Sequence, residues 1–494
     1  MLVLVLISVS LALSYAVLRW QGTAVQIEGN SGLGLSARQA ALSGVAVGLK
    51  KMHESTWSGV DTTLAGYLGP NCRFEVRFTT GDPSLAPSRP DYAEYPYRVT
   101  LTSTGYAEDP ADPQRKASYR VRAVARLVPR KLADAPSPWP AITSNTLYQY
   151  KKDGTVTLAV PCRIRGPIRS YGKWAFPAEY AWSSTVQTQY FKDLNQMRLA
   201  GQPDCRPFDS TIALRYAKQN DTDLISLLNK TLDIPTADLT DEGPTDWVHP
   251  GEVKSYRIYP GGKVYQVPSL SQSLWYSTWE PDPINNPLGI YYRCGGLDLY
   301  DNVTIRGTVV LKGSNADLHL FGRNIRLQAV DLPPVYPGSQ PVQLPLVVAQ
   351  DDIHIVNARG GEIMGLLAAW DRFEIGPDGQ EDFNLAMNCR IVCRNMTIHG
   401  RTEWLPPLRW SSWWTAQLTA FQAQRESGIP YFPDWLKSAA RLDYVPRIVI
   451  QPESRAVTYH YPWKNPAEAI YVPHPDDGGL RWELVDWVDN PPSN

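Results

Sequence analysis

Histidine, cysteine and methionine are sparse in this sequence of 494 residues, at seven, six and six. The six cysteines (Cys72, Cys162, Cys205, Cys294, Cys389, Cys393) form no C-x-x-C pair. That excludes a zinc ribbon and a thioredoxin-type motif. A Walker loop, H-E-x-x-H, G-x-S-x-G and an EF-hand loop are also missing, and with them the commonest routes to nucleotide, zinc, serine-hydrolase and calcium chemistry. Excess charge of either sign is lacking: Lys plus Arg number 48, Asp plus Glu 49, and the net charge is -1. A general nucleic-acid binder needs a basic surface that displaces counterions, so nucleic acid is not an expected partner.

What the chain does have is apolar, aromatic and turn-forming. Hydrophobic residues make up 43%, beside 42 prolines, 17 tryptophans and 26 tyrosines. The length allows about three domains. The composition suits an exported, turn-rich, mainly β protein. An even cysteine count is compatible with disulfides in an exported chain, with the pairing left open.

Met1 to Leu18 carry no charge, and Arg19 and Trp20 end the run. As a helix this segment rises about 27 Å, close to a bilayer core. A snorkelling cation and an indole ring are stable at the interface beyond it. Leu2 to Leu18 are therefore expected to anchor the chain in a membrane. A cleaved signal peptide is the alternative, with Ser14-Tyr15-Ala16 as its small-x-small site. Gly29, Gly32 and Gly34 interrupt the pattern, and a second, amphipathic helix is expected from Ser36 through Met52, with Ala41, Val45, Leu49 and Met52 on one face. The formal G-x-G-x-x-A match from Gly32 to Ala37 lies in no βαβ unit and is not read as a dinucleotide site.

Arg38-Gln39-Ala40-Ala41-Leu42-Ser43-Gly44, after an apolar N-terminal helix, resembles the corresponding segment of PilX-type minor pilins and pseudopilins. The stretches RVTLTSTG, ending at Gly105, and ASYRVRAVARL, ending at Leu127, resemble a hairpin of the pilin sheet. Over residues 1 to 130 this resemblance implies a membrane-held helix packed on an antiparallel sheet, with other pilin-like subunits as partners. The family's basic leader is not found, and Val5 stands where an acidic residue is usual.

Five short segments further on echo one another: NVTIRG at Asn302, NIRLQA at Asn324, DIHIVN at Asp352, RFEIGP at Arg372 and NMTIHG at Asn395. A period of roughly 20 to 25 residues suits the coils of a parallel β-helix. Ile305, Ile325, Ile353, Ile375 and Ile398 are its expected core, and Asn or Asp at every start except Arg372 suits a left-handed corner. The block resembles the polymer-forming β-helix modules of bacterial envelope proteins.

The expected organisation is an N-terminal transmembrane and amphipathic helix (1–55), a pilin-like sheet (56–165), a connecting region with short helices (166–285), a parallel β-helix (286–405), and a helix and strands capping it (406–494). In that cap RIVIQPESRAVTYHY reads as a hairpin, and Trp410, Trp413 and Trp414 as packing residues.

Chemistry is sought in carboxylates and histidines. Asp351-Asp352 resembles the paired aspartates of polygalacturonases, which act as general acid and base, and Asp371 or Glu374 would supply a third carboxylate. That family's GHG and basic triplet are missing. Asp301-Asn302 and Arg323-Asn324 occupy what looks like the same place in other coils, so turn geometry explains the pair. His319, His354 and His399 have no ligand-like spacing, although stacked coils would bring two together. No residue is assigned a catalytic, cofactor-binding or metal-ligating role. The expectation is a non-enzymatic, membrane-anchored structural protein of the bacterial inner membrane, with its bulk in the periplasm or outside. The alternatives are a carbohydrate-active β-helix enzyme and an adhesin that contacts polysaccharide.

Overall fold

The computed structural model describes residues 2–128, 146–158 except 152, short strands between 162 and 213, 250–332, 341–356, 360–376, 385–398, 448–459 and 481–489. The chain forms two compact units, one of Met1–Leu132, Arg257–Val264 and Ala469–Asn494, the other of Ala133–Tyr256 and Tyr265–Glu468. The protein is mainly β, with one long N-terminal apolar helix.

The first unit begins with that helix, α1 (Leu2–Met52). It is a single element, where the sequence suggested a break at Gly29, Gly32 and Gly34. A helix-interior glycine costs only about 1 kcal/mol relative to alanine, too little to stop so long a helix. Its two halves differ sharply. Val5, Leu6, Leu11, Leu13 and Leu18 are all more than half exposed. Ala37, Ala40, Ala41, Val45 and Met52 are buried at 2% exposure or less.

Those small residues seat α1 on an antiparallel sheet of β1 (Thr63–Gly69), β2 (Cys72–Thr80), β3 (Arg98–Glu108) and β4 (Lys116–Val128). Alternation places Phe74, Val76, Phe78, Val99 and Leu101 inside and Arg73, Glu75 and Arg77 outside, the pattern of a sheet with one covered face. Close approach is enforced by glycine at the interface. A Cβ on Gly105 would lie 2.0 Å from the Ala37 carbonyl oxygen, and one on Gly44 would lie 2.3 Å from Ser103 Oγ. The expected hairpin of the RVTLTST and ASYRVRAV stretches is present, and the alternating RFEVRF stretch pairs antiparallel with the first of them.

The fifth strand of this sheet is Arg481–Asp489, antiparallel to β4. Part of the segment read as a cap on the second half thus completes the first sheet. Trp482 explains the preference: it packs edge-on to Trp57 (6.0 Å) and Tyr259 (5.1 Å), and its backbone N–H donates to His53 Nε2 (3.1 Å).

The second unit is built of parallel strands. One ladder runs Ser273–Leu274, Leu297–Leu299, Leu318–Leu320, Ile353–Ile355, Arg372–Ile375, Asn395–Ile398, Thr155–Leu158, Lys173–Ala175. A second includes Thr278–Trp279, Thr304–Arg306, Arg326–Gln328, Glu362–Ala369, Leu385–Cys393 and Leu147–Gln149. A third, Ile290–Cys294, Thr308–Lys312 and Val347–Ala349, joins the far half of Glu362–Ala369. Inward residues stack like on like: Leu297, Leu318, Ile353, Phe373 and Met396 form one buried row.

Several expectations change here. Leu147–Gln149 and Thr155–Leu158 belong to the parallel ladders and not to the antiparallel sheet. They pair with strands near 393, so the order along the ladder is not the order in sequence. In the region expected to connect through short helices, Thr185–Val186 and Met197–Leu199 are strands. Ile448–Gln451 and Thr458–Tyr459 do not form a hairpin; each pairs in parallel with a different strand. Thr222 to Leu232, one of the short helices expected in the connecting region, and Trp410, Trp413, Trp414 and His399 lie outside the described residues.

The five look-alike segments fall into two ladders. Thr304–Arg306 stacks on Arg326–Gln328, whereas Ile353–Ile355, Arg372–Ile375 and Asn395–Ile398 stack on one another elsewhere. Each repeat contains more than one x-apolar-x-apolar strand, so the pattern alone does not say which strand is which. Ile305, Ile325, Ile353, Ile375 and Ile398 are all buried nonetheless.

Candidate functional site

On the first parallel ladder, strand alternation turns every second residue outward. In the row between the two buried ones, Asp298, His319, His354 and Glu374 are in register on successive strands. Asp298 Oδ1 lies 3.1 Å from His319 Nδ1. His319 and His354 stack with centroids 4.9 Å apart and planes 9° apart. His354 Nδ1 lies 2.8 Å from Glu374 Oε2, and its Nε2 3.4 Å from Asp352 Oδ2. Burial alone would lower the imidazole pKa, but the Asp352 and Glu374 carboxylates outweigh it and raise it to about 9. His354 is therefore held as the imidazolium at neutral pH by its two carboxylate neighbours.

A second outward row holds Trp275, Tyr300 and Phe321. Trp275 stacks on Tyr300 at 3.8 Å and 4°, and Tyr300 on Phe321 at 5.5 Å. Trp275 is 52% exposed and ends the stack.

At the corner before the ladder strands lie Asp317, Asp351, Asp352 and Asp371. Asp317 Oδ1 accepts from the Asp352 backbone N–H (3.1 Å), and Asp352 Oδ1 accepts from the Arg372 N–H (2.7 Å). Asp371 Oδ1 accepts from Asn395 Nδ2 (2.8 Å) and lies 3.8 Å from Arg394. The Asp317, Asp352 and Asp371 side chains thus each tie one strand start to the next. The Asp351 carboxyl is held above its usual range by burial first, then by repulsion from Asp317, Asp352 and Asp371.

One oxygen each from Asp351, Asp352 and Asp371 lie within 4.8 Å of one another, as do ligand atoms of Asp317, Asp352 and His354. The first set is all oxygen and would suit a hard cation. In the second, the protonated His354 takes the place of a cation.

The sequence pointed to Asp351, Asp352 and Asp371 correctly as neighbours. Glu374 instead joins His354. Asp301-Asn302 and Arg323-Asn324 are not equivalent to Asp351-Asp352: they precede the other ladder, where Asn302 and Asn324 adopt φ of 57° and 56° and share a side-chain hydrogen bond of 3.1 Å. Asp298 and Asp317 were missed. Aligning LDL, LHL and IHI as one row would have found them.

A second feature is the bare half of α1. It is long and apolar enough to cross a membrane, with mean hydropathy 1.3 over its window. The far half of the same helix is seated on the antiparallel sheet. No family model matches the chain, and no curated protein matches it. Among solved structures, the competence-associated pilin ComZ from Thermus thermophilus aligns at 11% identity and a TM-score of 0.23, covering 92% of this chain and 97% of that one. A score that low carries no argument, and the fold rests on its own packing.

Proposed function

We propose that this chain is a structural subunit of a pilin-like assembly, a minor pilin or pseudopilin of a type IV pilus or type II secretion-like system. One observation carries the reading: α1 exposes its apolar first half and presents an alanine and glycine face to the sheet with the second. A helix left bare over Val5 to Leu18 needs lipid or other apolar helices around it. The bulk of the chain is then exported, in the periplasm or beyond. In this reading the in-register parallel ladders are the faces of a β-helix, and this module serves as a rigid spacer or contact surface.

The chain is not an enzyme in this reading. Asp317 and Asp352 are occupied by strand-start N–H groups and Asp371 by the Asn395 side chain, and His354 is locked between two carboxylates. The Asp351–Asp352–Asp371 cluster favours a second reading, a polysaccharide hydrolase or lyase; Trp275, open at the stack end, would then contact the glycan.

A photo-crosslinker at Leu13 in the full chain, expressed in its envelope, tests the first reading. Adducts to subunits with a similar apolar N-terminal helix support it; adducts to lipid alone contradict assembly. Release of reducing or unsaturated ends from acidic polysaccharide, abolished by D352N, would favour the second.

A further inference from the structure

We propose that the outer face of the antiparallel sheet carries an anion-binding groove for a small molecule bearing phosphate or carboxylate groups. The inner face is covered by α1. The outer face is hollowed into a groove of about 610 Å³, within the range that takes small ligands.

Its floor is polar by register. Arg77 pairs with Thr102, which pairs with Arg122; beside them Glu75 pairs with Thr104, which pairs with Arg120. Arg77 and Arg122 thus flank Thr102 across two strand spacings, about 10 Å apart. Tyr95 and Tyr106 also line the groove. The ionised lining residues are three arginines against the single carboxylate Glu75, a surplus of two positive charges (3 − 1).

Arg98 and Arg115, in the same unit, contrast with these. Arg98 binds Asp82 and Glu94, each at 2.8 Å, and Arg115 binds Asp109 at 3.0 Å. Arg77, Arg120 and Arg122 form no ion pair with a described residue. The Arg122 Nε and the Thr80 hydroxyl are buried without a hydrogen-bond partner. A donor left so costs about 1–3 kcal/mol, which an acceptor from a ligand would relieve. Guanidiniums bind phosphate and carboxylate in two-pronged fashion, and the Thr102 and Thr104 hydroxyls add donors between them. A compact ligand with at least two anionic groups satisfies this arrangement, and a neutral one does not.

Full-length protein in detergent, titrated calorimetrically with inorganic pyrophosphate, citrate and glucose, tests the groove. Saturable one-to-one binding of pyrophosphate, citrate or both is expected, with glucose silent. The stronger of the two identifies phosphate or carboxylate as the preferred group. R77Q and R122Q should each weaken binding at least tenfold, while R306Q, in the second unit, should leave it unchanged. If R122Q does not fold, R77Q and R120Q decide, since both side chains are exposed. Absence of saturation by both anions overturns the proposal, as does binding that survives R77Q and R120Q or falls equally with R306Q.

Discussion

Replacing Gly105 by alanine probes the seat of α1 on its sheet more sharply than any deletion. The added methyl would lie 2.0 Å from the Ala37 carbonyl oxygen and 2.4 Å from the Ala41 amide nitrogen. Both are helix backbone atoms, so no side-chain rotation makes room. The helix must lift, and the contacts of Ala37, Ala40 and Ala41, all 0% exposed, loosen with it. Overpacking a tight interface costs about 1–3 kcal/mol when side chains can adjust, and a clash with rigid backbone belongs at the upper end, about 3 kcal/mol. Gly69 is the control, because a Cβ there meets nothing within 4 Å. Denaturant unfolding of the full chain in detergent, together with hydrogen exchange over 37–52, reads both variants. G105A should lose about 3 kcal/mol and protection in that helical segment, with G69A unchanged within about 0.5 kcal/mol. If G105A keeps parental stability and protection, the helix does not sit on the sheet as described.

Further outcomes follow from the ionised groups. His354 has its pKa raised to about 9 from 6.5. Its contribution is therefore full below about 6.5 and is lost as pH rises through 9, at most about 3 kcal/mol. The second unit's unfolding midpoint should fall between those pH values, and H354Q should flatten the profile; an unchanged slope contradicts the paired imidazolium. Asp82 is 1% exposed and binds Arg98 at 2.8 Å. Burial works against its charge, but hydrogen bonds from Ser84 and Arg98 prevail and hold its carboxyl below the usual range. That contribution is present above the ordinary carboxylate pKa and lost as pH falls through the lowered one. D82A leaves Arg98, itself mostly buried, without this partner and should cost about 3–5 kcal/mol in urea unfolding; a loss under 1 kcal/mol would show that Glu94 suffices.

Local patterning made the first sheet readable: alternating RFEVRF, RVTLTST and ASYRVRAV stretches with short loops fold onto their sequence neighbours. The face of α1 that carries Ala41, Val45 and Met52 was readable for the same reason, whereas its glycines read as a break that the helix does not have. What escaped was non-local. Nothing near Trp482 in sequence reveals that its strand joins β4, since that preference comes from Trp57 and Tyr259. Nor does Leu147–Gln149 announce a partner near Cys393. In the parallel unit, the apolar period identified Ile353 and Ile375 as core but not their ladder, because more than one strand per repeat carries the same alternation. The corner aspartates were legible as a pair; their hydrogen bonds to the neighbouring strand starts were not, because register decides them.

The central claim is that the bare half of α1 holds the chain in a membrane. Alkaline carbonate extraction of membranes from cells making the full chain tests it directly. The parent should stay in the membrane pellet, and L6K/L13K, two charges in the apolar segment, should move to the supernatant. A parent protein that extracts as freely as that variant would contradict the account.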